Sequence, residues 1–422
     1  MAILLTSFHI ILIFALAWGI WKKQRSLRKF FWPALLVKLM AGICLGLLYS
    51  YYYSVADTFD YFRDASKLAS LALEDFSAYL DLLFFNTHLE SLQLVFDQPR
   101  AVFLSKITSV FSILTHNNYW IIGAYLSLIS FCGAWFLVQT INRYMPSVVL
   151  AAVAAFLFLP SVVFWSSGLL KESLALAALF YLSALFLKIW FNEKASVREW
   201  LLAAVSLFVL WQLKYYYAAV FMPVVCTSVL YKFFIRKGFQ SSLPEVAVWL
   251  GILILPLVLI SFAHPNFYPH RLLDVILTNH EAYREFSAPE DLVHFHNLRP
   301  TAISLLKNAP WALFSGLFRP LVWETSALIQ LAPGVENTLV LLLFLAASIG
   351  FKKYFTSPHR VLILTLTVYV VMLCIFITFS APNFGTLSRY RSGYISFFVF
   401  IILCNNPLVQ YLERSFPRLV SH

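Results

Sequence analysis

The chain has 422 residues, of which 61% are hydrophobic, 18% aromatic and only 12% charged, with a formal net charge of +11. Soluble domains carry about 25% charged residues, so this chain has too little polar surface to cover a water-soluble fold of its size. The positive charge does not indicate nucleic acid, because the Lys and Arg residues form no single patch and no Arg-rich arm, and sit mostly in short breaks between apolar runs.

A helix needs about 20 apolar residues to cross the hydrocarbon layer of a membrane. Runs at 2–20, 31–53, 119–141, 147–164, 169–190, 199–213, 215–231, 245–263, 336–351, 360–380 and 393–410 reach or approach that length. They predict an all-α polytopic membrane protein of about eleven transmembrane helices, forming a single transmembrane domain over residues 1–422. The first run lacks a basic segment before it and a small-residue cleavage site after it, so it reads as a retained helix. The five cysteines fall inside apolar runs without metal-ligand or redox spacing and read as small buried hydrophobes.

Orientation follows from the basic residues of every second connection, since Lys and Arg are retained on the cytoplasmic side. Lys22, Lys23, Arg25, Arg28 and Lys29 follow the first run, and Arg143, then Lys188, Lys194 and Arg198, then Lys232, Arg236 and Lys237, then Lys352, Lys353 and Arg360 continue the pattern. With Arg414 and Arg418 in the tail, this puts the N-terminus outside and the C-terminus in the cytoplasm of a multi-pass cytoplasmic (inner) membrane protein. All acidic residues but Glu193, Glu199, Glu245 and Glu413 sort to the opposite side, most of them in two outer loops, 54–118 and 264–336, which also carry amphipathic helices such as 102–114.

The first outer loop opens with Asp57-Thr58-Phe59-Asp60-Tyr61-Phe62-Arg63-Asp64. Asp57, Asp60, Tyr61 and Asp64 recur at helical spacing and share one face, the arrangement that tunes a general base or binds a substrate; a solvated helix start capped by Asp57 is the plainer alternative. Lys171 and Glu172 lie at the turn before the fifth run, at a depth where ionisable groups are costly and have either a functional role or a mutual pairing. Arg389 and Arg391, in Ser388-Arg389-Tyr390-Arg391-Ser392, stand on the outer side against the inside-positive pattern and call for an anion, a substrate phosphate or a lipid headgroup. Lys214 and Arg319 are further candidates of the same kind. His270, His280, His294 and His296 occupy the second loop without a metal-binding spacing, so no metal or other cofactor is indicated.

The acidic Asp57-Thr58-Phe59-Asp60-Tyr61 motif and the Arg389-Tyr390-Arg391 segment entering a late span resemble features of the GT-C superfamily, polytopic glycosyltransferases that use polyprenyl-phosphate or pyrophosphate sugar carriers. Two departures are the additional first span and the lack of a soluble C-terminal domain. The resemblance implies an inverting transferase on the outer face, with a polyprenyl-linked sugar donor, a glycan, lipid or protein acceptor, and membrane lipids as partners. Asp57 or Asp60 would be the base, and Tyr61, Lys171, Glu172, Lys214, Arg319, Arg389 and Arg391 would bind substrate. An oligosaccharide polymerase or O-antigen ligase-like enzyme shares this organisation. A transporter or flippase and an assembly factor are the non-enzyme alternatives; charges gathered at one face, with few at helix centres, favour an enzyme over a transport pathway.

Overall fold

A computed structural model describes residues 2–24, 26–52, 57–87, 92–236, 244–263, 268–325, 327–350, 352–404 and 406–415. Arg25, Lys237 and Arg418 of the basic connections lie outside the described residues, as do residues 54–56 and 264–267 at the outer-loop edges.

The chain is a multi-pass membrane protein built from helices, and among the described residues the only strand-like pairing is an isolated bridge between Leu292 and Asn383. The first two predicted spans are α1 (Ala2–Lys23) and α2 (Arg28–Tyr51). The first predicted outer loop folds into α3 (Asp57–Glu74), α4 (Phe76–Phe85) and α5 (Pro99–Thr115). The amphipathic α5 buries Ala101, Val102 and Leu104 and packs on α3, α6 (Tyr119–Tyr144) and the long α10 (Val197–Arg236). Asn118 fixes where α6 begins, its side chain accepting the Ile121 N–H at 3.2 Å.

The predicted run at 147–164 is not one helix. It is a short turn, α7 (Val149–Val153), a single π-helical turn at Ala154–Phe158, and α8 (Pro160–Trp165). Pro160 lacks an N–H and crowds the residue before it, so Leu159 takes an extended conformation with ψ 116°. Next come α9 (Lys171–Trp190), α10, α11 (Glu245–Ala263), α12 (Pro269–Phe286), α13 (Ala302–Phe318) and α14 (Leu328–Ser348). α14 starts eight residues before the predicted 336, because the polar Glu336 and Asn337 that mark the apparent loop are buried inside the helix with partners. The chain closes with α15 (Lys352–Thr356), α16 (Arg360–Ser380), α17 (Phe384–Tyr390), α18 (Ser392–Cys404) and α19 (Pro407–Ser415). Among the cysteines, Cys374 is buried whereas Cys44 and Cys226 are exposed on α2 and α10, on surface that lipid rather than protein would cover.

Seven described helices are long and apolar enough to cross a membrane: α1, α2, α6, α9, α10, α14 and α16; the pair α17 and α18, bent by 68°, makes an eighth. The sequence count of about eleven differs by including 147–164 and α11 and by dividing α10. That division has a geometric basis. Glu199, near the start of α10, accepts from Lys188 in the last turn of α9 at 2.6 Å, and Lys232, near the end of α10, lies 4.8 Å from the Trp190 ring. Lys214, midway, pairs at 2.7 Å with Glu172 in the first turn of α9, and its backbone leaves the helical region with φ −145° and ψ 63°. The chain therefore reverses at Lys214, and both halves of α10 run along α9.

The turn before α9 is set into the bundle. Gly168, at φ +68°, fits between Gly42 of α2 and Gly123 of α6, where a side chain on Gly42 would come within 3.1 Å of the Gly168 nitrogen. Its N–H donates to Ser127 Oγ at 2.8 Å, and Ser127 lies eight residues into α6, about 12 Å below the helix start. Lys38 of α2 donates to Ser166 Oγ and holds the turn from the other side. Because the turn sits this deep, Lys171 and Glu172 begin α9 within the protein rather than at its rim.

α6 and α9 approach closely at Gly133, where an added Cβ would stand 2.6 Å from the Ala177 Cα and carbonyl oxygen. Neither atom has a flexible side chain to yield. Gly133→Leu is therefore expected to destabilise the purified protein by about 1–3 kcal/mol, read as a lower melting temperature in detergent, whereas Gly19→Ala, with nothing within 4 Å, leaves it unchanged. Equal melting temperatures for the two variants would refute the close contact.

Candidate active site

The site is organised around Glu172, whose side chain has no solvent exposure. Its Oε1 accepts from Lys214 Nζ at 2.7 Å and from Arg389 Nε at 2.9 Å. Arg389 reaches further with Nη1, which lies 3.1 Å from Asp57 Oδ2. Four segments far apart in sequence thus meet: the start of α3, the start of α9, the break in α10 and the end of α17. A carboxylate as fully buried as Glu172 stays ionised only with such partners, which makes the pairing a strong constraint on how these helices assemble.

Neighbouring bonds aim each side chain. Thr58, beside Asp57 and fully buried, donates to the Leu169 carbonyl at 2.9 Å and meets Tyr119 Oη at 2.9 Å, which fixes the first turn of α3 against the turn before α9. Asn383 caps α17 by accepting the Thr386 N–H at 3.0 Å, and its amide donates to Ser287 Oγ at 2.9 Å after α12. Tyr217 Oη donates to the Tyr390 carbonyl, joining the second half of α10 to the end of α17.

Asp57, Arg389, Lys214, Lys171 and Tyr61 line one cavity of about 470 Å³. Lys171 Nζ lies 5.0 Å from the Tyr61 ring, and Lys214 Nζ lies 3.8 Å from the Tyr390 ring. The Asp57 side chain is 40% exposed, against 12% for Arg389, so it is the carboxylate open to an incoming molecule. Burial raises the Tyr61 pKa, which keeps the group a phenol.

The remaining predicted residues are placed elsewhere. Asp60 pairs with Arg63 at 3.0 Å and does not line the cavity. Asp64, on the same acidic helix, is buried and accepts the Val95 and Phe96 N–H groups at 2.8 and 3.1 Å. It holds Phe96 against Tyr61, with ring centroids 4.8 Å apart. Burial, the largest influence, raises the Asp64 carboxyl pKa, opposed by those two backbone bonds. Arg391, only 1% exposed, turns to Glu336 at 3.4 Å, and Glu336 also accepts from the Ser161 N–H and Oγ at 2.7 and 2.5 Å. Arg319 pairs with Glu324 at 2.8 Å and packs over the Trp311 and Phe384 rings. Arg391 and Arg319 thus brace the bundle beside the site instead of lining it.

Arg100, Tyr283, Tyr216 and Ser380 line the cavity and were not singled out from sequence. Arg100 carried a readable signal, an arginine in an outer loop against the inside-positive pattern, the same signal that marks Arg389. The others are ordinary in sequence and gain meaning only from position. His294 Nε2 contacts the Pro289 carbonyl at 2.9 Å and His280 Nδ1 the Phe379 carbonyl at 2.8 Å. Among the described residues no three His, Cys, Asp or Glu side chains converge as a metal site would require.

Removing the Arg391 guanidinium would strand Glu336 as a buried charge, at a cost of about 3–5 kcal/mol. Arg391→Ala is expected to lower the melting temperature sharply, and combining it with Glu336→Gln is expected to recover part of the loss. Arg100→Gln, at an exposed position, leaves the melting temperature as it is. An unaltered melting temperature for Arg391→Ala would return that residue to the list of candidate ligand contacts.

No family model, no curated protein and no solved structure matches this chain.

Proposed function

We propose that this chain is an integral-membrane glycosyltransferase of GT-C type that moves a sugar from a polyprenyl-phosphate or pyrophosphate carrier to an acceptor on the outer face of the cytoplasmic membrane. The reading includes about eleven passes, the N-terminus outside and the C-terminus in the cytoplasm, so that the cavity opens outward. One observation carries it: an accessible carboxylate, Asp57, faces a cavity that also presents Arg389, Lys214, Lys171 and Arg100. A base and a cationic wall in one compartment are what displacement of a phosphate leaving group requires.

The chemistry then divides between two walls. The cations bind the carrier phosphate and balance the charge that develops on its bridging oxygen as the bond to the sugar breaks. Asp57 takes the proton of the acceptor hydroxyl as the oxygen of that hydroxyl attacks the anomeric carbon from the opposite side, which inverts that centre. Phosphate leaves readily, so no general acid is needed. Glu172 touches neither reactant in this scheme; it fixes Lys214 and Arg389 in position.

The orientation is supported by the basic connections gathering at the opposite end of α9. There Arg143 pairs with Glu193 at 2.6 Å and Lys188 with Glu199 at 2.6 Å. Arg360 meets Glu245 at 2.5 Å where α16 and α11 begin, on connections that the inside-positive pattern assigns to the cytoplasm.

Liposomes carrying a panel of polyprenyl-linked sugars and acceptors test the reading. Asp57→Asn is expected to lower the transfer rate by about 10²–10⁴-fold, and Asp60→Asn, whose carboxylate is taken by Arg63, to keep it near wild type. Full activity of Asp57→Asn, or equal loss in both variants, would reject Asp57 as the base.

A further inference from the structure

The charges of the cavity do not balance. Arg389 and Lys214 are engaged by Asp57 and Glu172, two cations against two carboxylates. Lys171 and Arg100 line the same cavity, and among the described residues neither has a carboxylate within ion-pair distance. Each lies instead over an aromatic ring, Lys171 at 5.0 Å from Tyr61 and Arg100 at 5.2 Å from Tyr215. A ring face attracts a cation but does not cancel its charge. Arg100 also stands within electrostatic reach of Lys171 and Lys214, so the two unmatched charges serve one compartment.

Tyr216 and Ser380 also line the cavity, but their hydroxyls are sealed from solvent, so what the cavity offers a guest is its two unmatched positive charges.

Resting on the transfer reading above, we infer that this guest is a diphosphate diester, with Lys171 and Arg100 balancing one phosphate charge each. A carrier joined to its sugar through a diphosphate carries two negative charges; one joined through a single phosphate carries one and leaves a cation unmatched. The choice between the two carrier classes is thus set by charge count. Arg100, on α5, becomes the residue that distinguishes them.

Binding without turnover separates this inference from the transfer reading. The full chain in nanodiscs is titrated calorimetrically with the methyl esters of citronellyl diphosphate and citronellyl phosphate, which carry two charges and one charge and no sugar. The diphosphate ester is expected to bind roughly tenfold tighter or more, the worth of one extra charge-assisted contact. Arg100→Gln is expected to remove most of that preference while changing the monophosphate affinity little. Equal affinities in the wild type, absence of binding by both esters, or a preference that survives Arg100→Gln would each overturn the inference. A clear diphosphate preference in a protein that transfers no sugar would uphold it and remove the transferase reading instead.

Discussion

The fold of the polar region depends on one buried carboxylate. Glu172 lies at the first turn of α9 with no solvent contact, and a single oxygen receives both Lys214 and Arg389. Without these cations the charge would be isolated in a low-dielectric interior, and without Glu172 the cations would repel each other across the same space. The reversal of α10 at Lys214 and the approach of α17 are thereby tied to the start of α9. Close packing at Gly133 and around Gly168 sets how α2, α6 and α9 meet, and this three-way pairing ties α10 and α17 to them.

The same helix organises the opposite face. At the C-terminal end of α9, Lys188 takes Glu199 while Trp190 receives Lys232. α9 has 20 residues, about 30 Å, which matches the thickness of the hydrocarbon layer. Its two ends therefore carry two polar layers, with a nearly uncharged stretch between them. The layer at the N-terminal end holds a cavity lined by Asp57, Lys171, Lys214 and Arg389, whereas the cavity near the C-terminal end is lined mostly by apolar side chains such as Phe186, Phe221 and Phe397. In the other layer the pairs Lys188 with Glu199 and Arg143 with Glu193 close on themselves. This asymmetry is the physical basis for seeking chemistry at one end of the bundle.

Much of this was legible in the sequence because lipid punishes stray charge. The apolar runs anticipate α1, α2, α6, α9 and α16, and the ionisable residues near their ends, Asp57, Lys171, Glu172, Lys214 and Arg389, are the ones the fold brings together. Hydropathy does not foresee the break inside 147–164, because it scores Pro160 by polarity, whereas the lost N–H and the constraint on Leu159 decide the conformation. It misjudged the start of α14 because Glu336 is buried by a partner more than fifty residues away, Arg391. Arg389 and Arg391 looked equivalent in a short motif. Two residues apart on a helix they point to different sides, and the 68° bend between α17 and α18 separates them further. Asp60 and Asp64 diverge likewise, one to a neighbouring arginine and one to backbone N–H groups.

Which carboxylate can act as a base follows from access rather than from charge. Glu172 has the stronger ion pairs, but its oxygens are sealed from solvent and one of them already serves two cations. Asp57 engages Arg389 through Oδ2 alone, and its side chain is 40% exposed where it lines the cavity. A proton acceptor must reach within about 3 Å of the atom it deprotonates, a condition that a sealed carboxylate cannot meet whatever its basicity. Arg389 lies between the two, held from behind by Glu172 and in front by Asp57. On the proposed reading this chain of contacts passes the rigidity of the buried pair to the exposed carboxylate, so that Asp57 is positioned by the core while remaining open to the acceptor.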